Sequence, residues 1–160
     1  MEIKEIFISS FVEAVVDTFA IQVRSEVKPQ AHYIIKPNDK FLCDISGTMS
    51  INSNEFKGSL SILFEEAIFL KIVSKMLSEE QNEVTNENES GAGELANIIM
   101  GQAKRKLNEL YGYSIALALP TIVYGKGHAV RTVSQEEKEG VIIPFLSNFG
   151  TFHIKISVGK

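Results

Sequence analysis

The chain has one cysteine, Cys43, among 160 residues, so no internal disulfide can form. That usage fits a reducing compartment better than an oxidising one. It has no long basic run, and its formal net charge is −4. Non-specific nucleic-acid binding needs clustered Lys and Arg to neutralise phosphates, so that class is disfavoured. No stretch reads as apolar for long enough to span a bilayer. The N-terminal segment carries Glu2, Lys4 and Glu5 and is then broken by Glu13 and Asp17, which does not read as a signal peptide. A cytoplasmic protein is expected.

Catalytic machinery of the common kinds is also missing. His32, His128 and His153 are scattered over expected strands and loops, without metal-ligand spacing. Cys43 falls in an expected strand with no obvious base beside it, and no Ser-His-Asp arrangement suggests itself. Gly125-Lys126-Gly127-His128 reads as a loop, but it lacks the pattern that cradles phosphates. No small-molecule pocket signature stands out. The chain is therefore expected to have neither a nucleophile nor a cofactor of its own.

What is present is an ordinary globular composition, 44% hydrophobic and 22% charged. A length of 160 residues suits one domain over 1–160 with a substantial core. Residues 3 to 24 read as a first helix, with Phe7 or Ile8, Phe11, Val12, Val15, Val16 and Phe19 at helical spacing. His32 to Ile35 reads as a short strand before Pro37 and the turn at Asn38-Asp39. Phe41 to Ile51 and Phe56 to Phe64 read as a hairpin turning at Asn52-Ser53-Asn54. Glu65 and Glu66 open a second helix that runs to about Leu77, where acids suit the positive helix end. Ser78 to Glu89 reads as a solvated acidic loop; a second role for its acids is steering a positively charged partner.

The rest of the chain is organised around Ser90-Gly91-Ala92-Gly93-Glu94-Leu95-Ala96-Asn97. From Gly91 to Tyr111, Leu95, Ala96, Ile99, Ala103, Leu107 and Leu110 fall on one helical face. Glu94, Asn97, Gly101, Lys104, Arg105 and Asn108 fall on the other. Lys106 lies near the apolar side and must extend its amine to the edge. Ser90 is placed to act as N-cap. Glu94 and Asn97 are neighbours on the surface, three residues apart. Gly101, one turn on, costs the helix about 1 kcal/mol relative to alanine, which makes sense where something must approach closely. Ser114 to Tyr124 reads as a strand carrying Pro120, which belongs at an edge or a strand start. Gly140 to Leu146 and Thr151 to Val158 read as a final hairpin, turning at Asn148-Phe149-Gly150. Helices packed on a mostly antiparallel sheet, an α+β fold, follow from this order.

Ser90-x3-Glu94-x2-Asn97, followed after 22 residues by Pro120, resembles the signature of the CheC/CheX/FliY family of chemotaxis phosphatases. The likeness extends to Gly58-Ser59-Leu60 before an apolar strand and helix, and to Leu119-Pro120-Thr121-Ile122-Val123-Tyr124-Gly125. Ala96 departs from it where the family often has glycine, adding a methyl on the core side. The single motif and the length resemble CheX within that family. Ser10, Ala14 and Asp17 repeat the spacing on the first helix without the chemistry, and that helix reads as core.

The resemblance implies a CheX-like α+β fold with pseudo-symmetric halves, a homodimer joined through the sheets, and a partner: a phosphorylated CheY-like receiver. It implies hydrolysis of the receiver's aspartyl phosphate, with Mg²⁺ supplied by the receiver. Asn97 is expected to orient the attacking water and Glu94 to pair with the receiver's lysine. Ser90, Gly101 and Pro120 are expected at the partner-binding surface, Gly101 making room and Pro120 shaping the ground beside the helix. The alternative is a non-catalytic module that docks on a receiver or a flagellar switch component.

Overall fold

Apolar residues at helical spacing build α1 (Glu5–Thr18), which buries Phe7, Ile8, Phe11, Ala14 and Val15. Val12 and Val16 are only partly buried and pack against the rim of the core. The helix then loosens into a π-helical turn, Phe19–Val23, and stops at Arg24, whose φ of +56° is left-handed. Residues 5–36, 38–130 and 140–159 are described by the computed structural model, so Pro37 lies outside the described residues. Contrary to the reading of the sequence, Glu5–Val23 is long and apolar enough to cross a membrane by length and composition alone. Half of its apolar window is buried inside the domain, which is how the core helix of a folded domain passes the same test.

Two short strands follow, β1 (Lys28–Pro29) and β2 (Tyr33–Ile35). They precede the long hairpin of β3 (Leu42–Ser53) and β4 (Lys57–Phe64). Its turn is closed by Ser53, whose hydroxyl accepts from the N–H groups of Glu55 and Phe56. Next comes α2 (Glu66–Leu77), which buries Phe69, Ile72 and Val73, with Ile68 and Met76 partly buried against them. Then comes α3 (Ser90–Tyr111), which ends at Gly112 with a left-handed φ of +69°.

The expected strand from Ser114 to Tyr124 is instead two: β5 (Ile115–Leu117) and β6 (Thr121–Ala129). Pro120 has no N–H to give a ladder and stands immediately before β6. Gly125 to His128, expected as a loop, continues β6. The ladder to β3 carries it through, with a register shift between Cys43 and Ile45 on the partner strand. The chain closes with β7 (Gly140–Ser147) and β8 (Gly150–Gly159), turning at residues 148–149. Phe152, Ile154, Ile156 and Val158 alternate inward as the pattern required.

Among the described residues one eight-stranded sheet forms, in the order β1-β7-β8-β4-β3-β5, with β2 also on β7 and β6 also on β3. Every pairing is antiparallel. The helices bury their apolar stripes against this sheet around a phenylalanine-rich core. Phe19 and Phe152 stack in it with ring centroids 4.5 Å apart. The fold is therefore the expected α+β arrangement.

What fixes α3 on the sheet is the lack of a side chain at Gly47. A Cβ built there would lie 2.5 Å from the Ala92 carbonyl oxygen and 3.2 Å from the Gly93 nitrogen. Both are backbone atoms and cannot swing away. Gly47→Ala should therefore destabilise the domain by about 1–3 kcal/mol through forced separation of helix and strand. Thermal denaturation reads this, and an unchanged midpoint would show that α3 does not rest on β3 at this spot.

Candidate functional site

Ser90, Glu94, Asn97 and Gly101 recur at intervals of four, three and four, so they fall in one stripe along α3. The first three are exposed and Gly101 is partly so. On the other sides, Gly91, Ala92, Gly93, Leu95, Ala96, Ile99, Met100, Ala103 and Leu107 are buried. Leu110, expected in the core, is 67% exposed near the C-terminal end of the helix. Among the described residues, the Glu94 carboxylate and the Asn97 amide take no hydrogen-bond or ion-pair partner. A Cβ at Gly101 would meet nothing within 4 Å, so no contact inside the chain requires glycine there.

The flanks of the stripe differ. On one side Lys106 extends from α3 to Glu13 of α1 at 2.7 Å, with Asp17 at 3.6 Å. This clasp shows where the expected snorkelling amine goes. The α1 residues that share the motif's spacing have other work: Ala14 is fully buried and the Ser10 hydroxyl donates back to the Ile6 carbonyl. On the other side lies β6. A Cβ at Gly93 would fall 2.8 Å from Ile122 Cδ1 and 3.3 Å from Pro120 Cγ. Gly93 thus lets the edge strand press against the helix one turn before Asn97, and Pro120 stands beside the stripe.

The helix starts at Ser90 as the sequence suggested, but Ser90 is its first residue and not its cap. The Ser90 hydroxyl donates to the Glu87 carbonyl at 2.7 Å, and Glu89 at the N-cap position makes no side-chain cap bond. The side-chain closure lies one turn earlier, at Thr85. Its hydroxyl accepts from the Asn88 N–H at 3.1 Å, and the Asn88 side-chain oxygen accepts from the Thr85 N–H at 2.8 Å. This is the reciprocal capping box with asparagine in the place of Glu or Gln. The Asn88 amide, 2% exposed, donates onward to Gln81 Oε1 and the Glu83 carbonyl. Gln81 in turn donates its N–H to the Ser74 hydroxyl. The acidic segment is therefore pinned to α2 and α3 at several points and is not merely solvated.

A second polar cluster surrounds β6. Asp44 accepts from the Glu66 N–H at 2.9 Å, capping α2 from β3, and from the Gly127 N–H at 3.2 Å. The Tyr124 hydroxyl donates to Glu66 Oε1. That bond, with burial and the carboxylates of Asp44 and Glu83, holds the phenol above its ordinary pKa.

Cys43 does have a base beside it, which the sequence did not reveal: His128 Nε2 is 3.4 Å from its sulfur. The same nitrogen is 2.9 Å from the Ser46 hydroxyl, and Nδ1 is 2.6 Å from the Gly125 carbonyl oxygen. Nδ1 carries a proton to donate to that carbonyl, and Nε2 shares a hydrogen bond with the Ser46 hydroxyl. Burial first, then the Asp44 charge, pushes the Cys43 thiol up to about 12. Ser46 is fully buried. A protonated thiol and a hydroxyl sealed from solvent cannot attack a substrate, so this cluster is structural. Burial lowers the pKa of His153, which lies against Phe41. Among the described residues no group of three or more His, Cys, Asp or Glu is placed to hold a metal.

An α+β domain of this kind, with helices on an antiparallel sheet, is shared with CheC-like proteins. A family model described as chemotaxis phosphatase CheX matches residues 45–146, well over half of the chain. A CheC-like superfamily protein from Shewanella sp. PV-4 is 33% identical, with a TM-score of 0.88 over 99% of this chain and 100% of that one. Chemotaxis protein CheX from Vibrio vulnificus is 32% identical, with a TM-score of 0.84 over 95% and 98%. The CheX of a CheX–CheY–BeF3–Mg²⁺ complex from Borrelia burgdorferi shares the fold at 18% identity, TM-score 0.77, over 96% and 98%. No curated protein matches the chain. The chain belongs to the chemotaxis phosphatase CheX family.

The position of the cap can be tested directly. Thr85→Ala should lower stability by about 1 kcal/mol, while Ser90→Ala should change it by less than about 0.5 kcal/mol. Parallel thermal or urea denaturation distinguishes them, and the reverse order would return the cap to Ser90.

Proposed function

We propose that the chain is a protein aspartyl-phosphate phosphatase acting on a phosphorylated CheY-like receiver, with the stripe on α3 as its working surface. The observation that carries this reading is the exposure of Glu94 and Asn97, without partners among the described residues, on a helix that buries its apolar side. Among the described residues the Cys43 thiol and the Ser46 hydroxyl beside His128 are sealed from solvent, which fits a second molecule supplying the bond to be broken. A receiver would bring the acyl phosphate, its Mg²⁺ and a lysine. Hydrolysis then needs a water held in line with the phosphorus, and positioning of that kind lowers the barrier by several kcal/mol.

Asn97 would enter the receiver's site and orient that water. A neutral amide suits the task because it both donates and accepts hydrogen bonds, whereas a carboxylate would repel the phosphoryl oxygens. Glu94 would pair with the receiver's lysine and hold the two proteins in register. Gly101 leaves open space for the receiver's loops, Ser90 borders the contact, and Pro120 shapes the ground beside it. The Borrelia burgdorferi CheX, which forms a complex with CheY, BeF3 and Mg²⁺, supports a receiver as partner. A homodimer joined through the sheets accompanies this reading, since unpaired strand edges favour such pairing.

Asn97→Ala should fold normally, because the side chain has no internal partner, and should lose acceleration of receiver dephosphorylation by about 100-fold or more. Glu94→Ala should mainly raise the receiver concentration needed for half-maximal rate, by about tenfold. Phosphate release from a phosphorylated receiver measures both. Binding without faster release by the native chain would favour the non-catalytic docking module, and normal rates in both variants would remove the assigned roles.

A further inference from the structure

The stripe from Ser90 to Gly101 is about 16 Å long and one side chain wide, at a rise of 1.5 Å per residue. A specific protein contact covers about 800 Å² on each partner, a disc some 30 Å across. A partner that admits Asn97 must therefore also rest on one flank of α3. Toward α1, past the end of the stripe, Lys106 is tied to Glu13 and Asp17. The β6 flank is different. Leu119 is 90% exposed and Tyr124 45% exposed. Between them, Pro120 and Ile122 press on the helix at Gly93. Side chains on a helix lean toward its N-terminus, so the Asn97 side chain leans over the Gly93 turn and toward this strip.

A single exposed leucine means little. Here the leucine stands just before the edge strand that meets the turn preceding Asn97, and the half-exposed Tyr124 lies on that strand. Acids border it: Glu66 accepts from the Tyr124 hydroxyl, Asp44 accepts from the Gly127 N–H of the same strand, and Glu94 stands on the neighbouring helix. An apolar strip with an acidic border matches a partner face that is apolar with lysine beside it.

Resting on the phosphatase reading above, we propose that Leu119, Pro120, Ile122 and Tyr124 form the second half of the docking surface for the phosphorylated receiver. This strip contributes to binding through apolar contact, while Asn97 contributes to the chemical step. Ile122 and Pro120 also hold α3, so the two accessible residues carry the test.

Leu119→Ser, Tyr124→Ala and Tyr124→Phe are assayed for phosphate release across a range of phosphorylated-receiver concentrations, beside native protein and Asn97→Ala. Leu119→Ser and Tyr124→Ala should each raise the half-saturating receiver concentration about tenfold, with the rate recovered at high receiver. Tyr124→Phe, which keeps the ring, should stay within about twofold of native. Asn97→Ala should not recover at any concentration. Circular dichroism confirms folding, and Leu119→Ser, altering a side chain that is almost wholly in solvent, keeps the test valid if Tyr124→Ala misfolds. Unchanged half-saturation in Leu119→Ser, with active native protein and inactive Asn97→Ala, would overturn the strip and leave the phosphatase reading standing. Native protein that fails to accelerate release would overturn both. A change in sedimenting mass in Leu119→Ser without a change in half-saturation would make the strip a seam between copies of this chain and overturn its assignment to the receiver.

Discussion

The contact on which the rest depends is backbone against backbone, at the place where α3 crosses β3. Gly47 leaves no room for even a methyl group beneath Ala92. Interiors packed at crystal-like density transmit small displacements, so this contact sets the height of the helix above the sheet. Gly93 repeats the device sideways, against Ile122 and Pro120 of the edge strand. The two glycines locate the first turns of α3 in two directions. Glu94 and Asn97 project from those turns, so the placement of the polar stripe follows from two absent side chains.

Support from below is matched by support from the end. The capping box of Thr85 and Asn88 starts the helical turns five residues ahead of Ser90. Asn88 binds the acidic segment through Gln81 and Glu83, and Gln81 ties that segment to Ser74 of α2. The Lys106 clasp to α1 secures the fifth turn. A helix anchored on so many sides can present an exposed amide in a narrow range of positions. That is what orienting a single water requires.

The sequence made the long elements legible because periodicity reports burial. The inward faces of α2 and of β8 follow the pattern residue by residue. The polar stripe was legible too, through the spacing of Glu94, Asn97 and Gly101. What stayed hidden depends on partners distant in sequence. Gly125 and Gly127 read as loop residues; they form a bulge in β6, Gly127 with a φ of +66°, and the pairs to β3 on either side keep that bulge within one strand. Thr85 was hidden because its partner in the box is asparagine and the surrounding acids read as solvent-facing. His128 and Cys43 are 85 residues apart, so no local pattern could have paired them. Leu110 keeps the period of the core stripe but stands exposed in the last turn of the helix, where spacing alone does not report cover. The role of Gly47 has no sequence signal, since a glycine in a strand reads only as weakness.

The composition of the stripe is itself an energetic argument. Asparagine within a helix costs several tenths of a kcal/mol relative to alanine, and glycine about 1 kcal/mol. Asn97 and Gly101 together therefore remove about 1.5 kcal/mol of helix stability. Elsewhere in the domain such costs are offset by visible contacts. Gly93 admits Ile122 and Pro120, Gly112 takes the left-handed end of α3, and Asn88 saturates its amide. Asn97 and Gly101 have no such offset among the described residues: one amide lacks a partner and one glycine faces open space. Free energy of this size is a noticeable share of the 5–15 kcal/mol that holds a domain together. A contact outside the chain would account for both residues at once, because an incoming surface needs the space above Gly101 and a free amide one turn away.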